Sequence, residues 1–222
     1  TGDGPNMLAR GLAQGRSHAL GVVTCGLDYF GPSRLLTGIE QRAAELGYAI
    51  SLTLLHEPGT LDVDGILNGL VGRQVDGIIW AIAEIGGNRE WSREGSPNPP
   101  VPVALVGGMA GETPWPSIGI DNRAIGRVAT EHLITGGARR VAIITGPLDW
   151  WEAQERLEGW REVLEIHGIA EGDRLVVEGD WGALSGELAL QRLLEGLPGV
   201  DAVVASNDQM ALGVLHAAHT LG

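Results

Sequence analysis

One cysteine, Cys25, stands in 222 residues. No internal disulfide framework can therefore hold this fold, and a reducing compartment suits it; Cys25 reads as a small buried hydrophobe. Lysine is missing altogether. All 15 basic residues are arginine, set against 28 acids for a net charge of −13. A surface of that sign repels phosphate backbones, which excludes a general nucleic-acid binder unless a local basic segment or a further part makes the contact. No apolar run reaches bilayer-spanning length. The N-terminus lacks the charged start and apolar centre of an export signal, so the expected location is cytoplasmic. Catalytic signatures are missing too. There is no P-loop and no G-x-S-x-G elbow, and GGMAG (107–111) opens no helix, so it is not a dinucleotide fingerprint. His216 and His219 have i, i+3 spacing, but no nearby acid or cysteine completes a metal site. With no nucleophile–base pair in view, neither an enzyme nor a cofactor is expected.

What is present is a strand–helix alternation. Hydrophobic residues make up 44% of the chain, enough for one large domain or two smaller lobes. From His18 onward, β-branched runs predict strands over 19–24, 50–55, 77–82, 101–107, 117–121, 141–146, 175–180 and 202–206. Helical periodicity between them predicts helices over 33–46, 62–71, 124–135, 152–167 and 185–195, with a last one after 206. Residues 84–100, rich in Gly, Pro and charge, read as an irregular connection around a short helix. Such alternation implies parallel pairing through right-handed crossovers. The chain makes two runs of this kind, divided near 121–124. The expected fold is α/β: two doubly wound parallel-sheet lobes, 18–122 and 123–222, with a cleft between them, after a linker and short helical segment over 1–17. A second lobe of three strands would leave a sheet edge open, so this lobe is expected to be incomplete at its C-terminal end.

AVVASNDQMALGVLHA (202–217) shows the pattern most clearly. A buried strand breaks into Ser206, Asn207 and Asp208, after which apolar residues recur at helical spacing. Ser206 or Asn207 is placed to cap the helix. In an open parallel sheet, ligands sit where strand carboxyl ends face helix N-termini, so ligand binding and simple capping both remain open for Asn207 and Asp208.

PNMLARGLAQGRS (5–17), GIEQRAAELGY (38–48), VDGII (75–79), SIGIDNRAIGRVATEHLI (117–134), VAIITGPLDWWEAQERLEGWREVL (141–164), VVEGDWGALSG (176–186) and SNDQMALG (206–213) occur in order and at sensible spacing. Together they resemble the effector-binding domain of the lactose/galactose repressor family of bacterial transcription regulators. The GPL, GDW and NDQMALG pieces look particularly like the lactose-repressor branch. The resemblance implies periplasmic-binding-protein-like lobes with a small effector, a sugar or nucleobase, in their cleft. It implies a homodimer, with helix 33–46 at the contact, and operator DNA bound through a helix-turn-helix head that this sequence does not contain. PNMLARGL matches the family's hinge helix, in which a leucine at the position of Leu12, with Arg10 nearby, wedges into the minor groove. A plain linker is the alternative.

The residues expected at the cleft follow strand ends. They are Asp28, Tyr29 and Phe30 after the first strand, and Asp149, Trp150 and Trp151 in GPLDWW. Asp180 and Trp181 follow in GDW, then Asn207 and Asp208. Flat aromatic faces cover the C–H face of a sugar, while carboxylates and amides bond its hydroxyls. Trp181 is the family-matched aromatic; for Trp151, core packing is an equal alternative. The resemblance places Gln154 where the family commonly carries a sugar-binding Arg, which weighs against a standard hexose because Gln lacks the charge and the five-donor fork. Arg156, the family's second Arg, is expected in structural ion pairs. Asp121 matches a cleft or hinge position, with helix capping as the alternative. A receptor of a sugar importer shares this fold, but PNMLARGL and the missing export signal argue against it. An enzyme on a doubly wound sheet lacks its motifs.

Overall fold

The computed structural model describes residues 16–57, 61–92, 97–107, 113–169 and 172–221. Arg10 and Leu12, expected to form a DNA hinge, lie outside the described residues. The chain divides into two compact units, with the boundary between Ile120 and Asp121.

The first unit carries β1 (Ala19–Cys25), α1 (Phe30–Glu45), β2 (Ala49–Leu55), α2 (Val63–Gly72), β3 (Gly77–Ala81), β4 (Val103–Val106) and β5 (Ser117–Ile118), with a 3-10 turn at Glu90–Ser92. Its five strands run in the order β2-β1-β3-β4-β5, all parallel. β1 lies inside the sheet, which is why its apolar run is continuous rather than alternating. Val22 and Val23 are fully buried, and Leu67, Leu70, Ile78, Trp80 and Leu105 fill the core around them. Asp62 caps α2 by accepting from the Gly65 N–H at 2.9 Å. Helix α1 begins three residues earlier than expected, at Phe30, because Pro32 falls in its first turn, where a missing N–H costs nothing.

The second unit carries α3 (Asn122–Thr135), β6 (Val141–Thr145), α4 (Trp151–Ile166), β7 (Val176–Glu178), α5 (Ala183–Gly196), β8 (Ala202–Ala205) and α6 (Asp208–Leu221), with a 3-10 turn at Gly172–Leu175. Its described sheet is β7-β6-β8, parallel throughout. Every residue of β6 is buried, and Trp160, Leu175 and Met210 pack on it with no exposed surface. β5 is shorter than expected, stopping at Ile118, and β7 stops at Glu178 before the GDW segment.

The two sheets repeat one device. VDGII (75–79) and VDAVV (200–204) each place an aspartate just ahead of a strand. The Asp76 carboxylate accepts from Ser17 N (2.8 Å), Ser17 Oγ (3.1 Å) and His18 N (3.0 Å), at the start of the neighbouring β1. Asp201 accepts from Arg139 N (3.0 Å) and Arg140 N (2.9 Å), at the start of β6. In both, the aspartate's own N–H returns a bond to that strand entry, to Ala19 O and Arg140 O. Each acid thereby fixes the register of a β1–β3 or β6–β8 pair.

Glycines set the helix packing of the second unit. A Cβ on Gly126 would overlap the Arg156 carbonyl, and one on Gly159 would overlap that of Arg123. Gly186 and Gly213 do the same for Met210 and Ala183. The α3–α4 and α5–α6 pairs therefore cross backbone to backbone, each through two reciprocal glycines.

Candidate functional site

The carboxyl ends of β6, β7 and β8 bring Gly146, Trp181 and Ser206 together. Trp181 is the centre. Its backbone is left-handed, with φ of 72°, a conformation that a bulky residue keeps only when its surroundings hold it there. Three contacts supply that hold. The Asn207 amide donates from Nδ2 to the Trp181 carbonyl at 2.9 Å. The indole lies against Gly146, where any Cβ would overlap the ring. The Arg156 guanidinium stacks 5.6 Å from the ring centroid, a cation–π contact. Trp150 meets the ring edge-on at 5.8 Å. Trp181 is 9% exposed, yet among the described residues its Nε1–H has no hydrogen-bond partner; the buried Thr145 and Ser206 hydroxyls at the same strand ends also have none there. Buried polar groups are ordinarily hydrogen-bonded, so three orphans at one sheet edge mark a place that a polar ligand or ordered water completes.

Arg156 is the residue that sequence reasoning undervalued. Its Nε donates to Asn122 Oδ1 at 2.9 Å, and its Nη1 donates to the Ser206 carbonyl. Instead of the expected ion pairs, its hydrogen bonds go to neutral oxygens, with the Glu152 carboxylate acting through its field. Burial pulls the guanidinium pKa down, and Glu152 opposes that shift. Asn122, 4% exposed, was not anticipated either; the signal was its position one residue after the capping Asp121. Gln154 is exposed and turned away, its Nε2 donating to the Leu148 carbonyl at 2.7 Å. The guanidinium that meets the aromatic therefore comes from Arg156, one turn position beyond Gln154.

The other expected residues divide. Asn207 caps α6, its Oδ1 accepting from Met210 N at 2.8 Å, while also holding Trp181. Asp208 opens α6 and is exposed, as is Asp149 in the β6–α4 loop. Trp151 is half-buried as the first residue of α4; the tryptophan beside Trp181 is Trp150. Asp180 accepts from Gly182 N at 2.7 Å, and the Ser185 hydroxyl and that N–H hold its carboxyl below the usual carboxylate range. Asp121 caps α3 through Ala124 N at 2.8 Å.

In the first unit, Asp28, Tyr29 and Phe30 follow the carboxyl end of β1 and are exposed. Tyr29 is the N-cap residue of α1, and Phe30 is its first residue. Two features there were not foreseen. Arg89, 8% exposed, donates to the Gly107 carbonyl and to Val106 O at the end of β4. Trp80, Trp91 and Trp115 form a ring cluster with centroids 4.4 and 5.1 Å apart. Among the described residues no group of three His, Cys, Asp or Glu side chains is placed to hold a metal. No described helix is long and apolar enough to cross a membrane.

Residues 20–222 match the family of periplasmic binding proteins and sugar-binding domains of the LacI family. The chain belongs to that family. Among its LacI-family relatives, catabolite control protein A of Priestia megaterium is 31% identical over 219 residues, covering 98% of this chain and 65% of the relative. The lactose operon repressor of Escherichia coli K12 is 32% identical over 217 residues, covering 96% and 58%. The chain thus spans about two thirds or less of these relatives' lengths. The lac repressor dimer bound to operator and the anti-inducer ONPF superposes with a TM-score of 0.82 at 28% identity, covering all of this chain and 76% of that one. The complex of the transcriptional regulator CelR with cellobiose gives 0.75 at 27% identity, covering 97% and 68%. The parallel α/β fold with two sheets is that of the LacI-family core.

Proposed function

We propose that this chain is the effector-binding and dimerisation core of a DNA-binding transcriptional repressor that senses a carbohydrate. Its partners are then a small sugar-like effector, a second copy of itself meeting through α1 and its neighbours, and operator DNA bound through a helix-turn-helix segment outside these 222 residues. Of the relatives named above, one is a lactose operon repressor and the other a catabolite control protein. The observation that carries the reading is Trp181. An aromatic face is held in a left-handed backbone, flanked by a guanidinium, with its own N–H and two nearby hydroxyls unpaired. That combination offers an apolar face for a pyranose and polar groups for its hydroxyls. Asp149, Asn207 and Asp208 line the same strand ends in this reading, with Arg156 in place of Gln154 as the cationic hydrogen-bond donor. In the first unit, taken by itself, Asp28, Tyr29 and Phe30 at the carboxyl end of β1 are the candidate effector contacts, and in the second Asp121 acts through the helix it caps. Effector binding would bias the conformation that the dimer passes to the N-terminal segment around Leu12.

The test is a thermal-shift screen of the purified chain against monosaccharides, disaccharides, nucleosides and polyols. A ligand that raises the melting temperature of the wild type, but not of Trp181→Ala or Arg156→Gln, supports the site. Gln154→Ala should leave the shift intact. A ligand shift that survives Trp181→Ala unchanged refutes the proposed location.

A further inference from the structure

Three helices start at the carboxyl edge of the β7-β6-β8 sheet, and each start already carries a carboxylate. Helix α4 has Glu152 in its first turn and Asp149 in the loop before it. Helix α5 follows Asp180, which accepts the N–H of the cap residue Gly182. Helix α6 opens on Asp208. Segments 149–154, 179–185 and 206–210 together hold these four acids and no base. A helix N-terminus is a natural seat for phosphate, because its unpaired N–H groups and dipole favour negative charge. Here each of the three starts already carries negative charge.

Arg156, the cation on the Trp181 face, is committed as well. Arg156 donates to Asn122 Oδ1 and to the Ser206 carbonyl, lies on the Trp181 face, and sits in the field of Glu152. The Trp181 Nε1–H and the hydroxyls of Thr145 and Ser206, three uncharged groups at least nine-tenths buried, have no hydrogen-bond partner among the described residues. The first unit repeats the pattern on a smaller scale, with Asp28 just ahead of α1 and Asp62 and Asp64 at the start of α2.

We infer that this edge takes an uncharged, hydroxyl-bearing ligand and rejects the phosphorylated or carboxylated forms of the same molecule. The inference rests on the sugar-sensing reading and narrows it. Carboxylates accept hydrogen bonds from hydroxyls but repel a phosphate brought within a few ångströms, and fixed like charges of this kind discriminate more than they bind.

Two measurements on the whole chain test it. Calorimetry compares neutral and anionic pairs: glucose with glucose 6-phosphate, ribose with ribose 5-phosphate, and galactose with galacturonate. In every pair with a binding member, the neutral one should bind at least about tenfold tighter. The double variant Asp149→Asn, Asp208→Asn should narrow that ratio. An anionic member that binds as tightly as its neutral partner, or a ratio unchanged in the double variant, overturns the inference. Inorganic phosphate is then titrated alone while the Trp181 indole N–H resonance, assigned by its loss in Trp181→Phe, is followed by NMR. No saturable shift supports the inference, and a saturable millimolar shift overturns it whatever the sugars do. If no sugar in these pairs or in the wider thermal-shift screen binds, the sugar-sensing reading fails, while the phosphate titration still decides the charge preference of the edge.

Discussion

Gly126→Ala separates two opposing effects of one methyl group. In an isolated helix the change gains about 1 kcal/mol, because alanine is the better helix former. In this protein the new Cβ of α3 would lie 2.9 Å from the Arg156 carbonyl carbon, and closer still to its oxygen. Ordinary carbon–carbon separations are about 3.5–4.0 Å, so α3 and α4 must part by roughly 1 Å. The obstructing atoms are backbone, so no side-chain rotation relieves them. Overpacking of this kind costs about 1–3 kcal/mol or more. The upper end applies here, leaving a net loss of about 2 kcal/mol after the propensity gain. For a chain of this size that corresponds to a melting temperature lower by about 4–8 °C. The separation also stretches the 2.9 Å bond from Arg156 Nε to Asn122, so ligand affinity should fall with stability. Gly69→Ala in α2 is the matched control: a Cβ there meets nothing within 4 Å, and it should raise stability by up to about 1 kcal/mol. Differential scanning calorimetry of both variants decides the matter. A Gly126→Ala protein that melts at or above the wild type would refute the backbone-crossing account of the α3–α4 pair.

Three further outcomes are expected. Gly146→Ala places a Cβ inside the Trp181 ring, so the indole must leave its seat; ligand affinity should drop by tenfold or more, roughly 1.4 kcal/mol, with a blue-shift or red-shift of tryptophan emission reporting the move. Gly159→Ala, reciprocal to Gly126, should destabilise to a similar degree, and the double variant should cost less than the sum, since either methyl alone already parts the helices. Asp76→Ala should lower stability by about 1 kcal/mol, measured by urea unfolding across pH. Burial raises the Asp76 pKa, but hydrogen bonds from Ser17 and His18 outweigh it and leave the carboxyl below its ordinary value. A depressed folded pKa stabilises fully above the unfolded value, near 3.9, and that stabilisation disappears as pH falls through the folded value. Wild type and Asp76→Ala should therefore differ at pH 6 and converge as pH falls through the depressed folded value; a constant gap at all pH values would show that the carboxylate charge is not what holds the strand entry.

Much of the architecture was legible before any coordinates. Alternation of β-branched runs with helical periods gave the order of strands and helices, because each pattern is local to its own segment. Element ends were read less well where one residue's partner lies elsewhere. Pro32 moved the start of α1 back to Phe30, and the turn into Asp121 cut β5 to two residues. Trp181 and Asn207 were picked out by their positions after strand ends, and the structure joins them through a hydrogen bond from the Asn207 amide to the Trp181 carbonyl. That Trp150 and Arg156 are the side chains meeting Trp181 was not legible, because spacing along a helix does not say which face meets a tryptophan 25 or more residues away.

Composition, charge sign, the parallel α/β class and the family resemblance were properties of the sequence by itself, since periodicity and motif order survive without knowing what touches what. Tertiary structure alone decided that Arg156 stacks on Trp181 and leaves Gln154 to a loop carbonyl. It alone decided that Asn122 and Ser206 hold that guanidinium, and that Gly126 and Gly159 let two backbones cross. The Arg156 and glycine contacts join residues tens of positions apart, and their energies depend on distances of a few ångströms that no local pattern encodes.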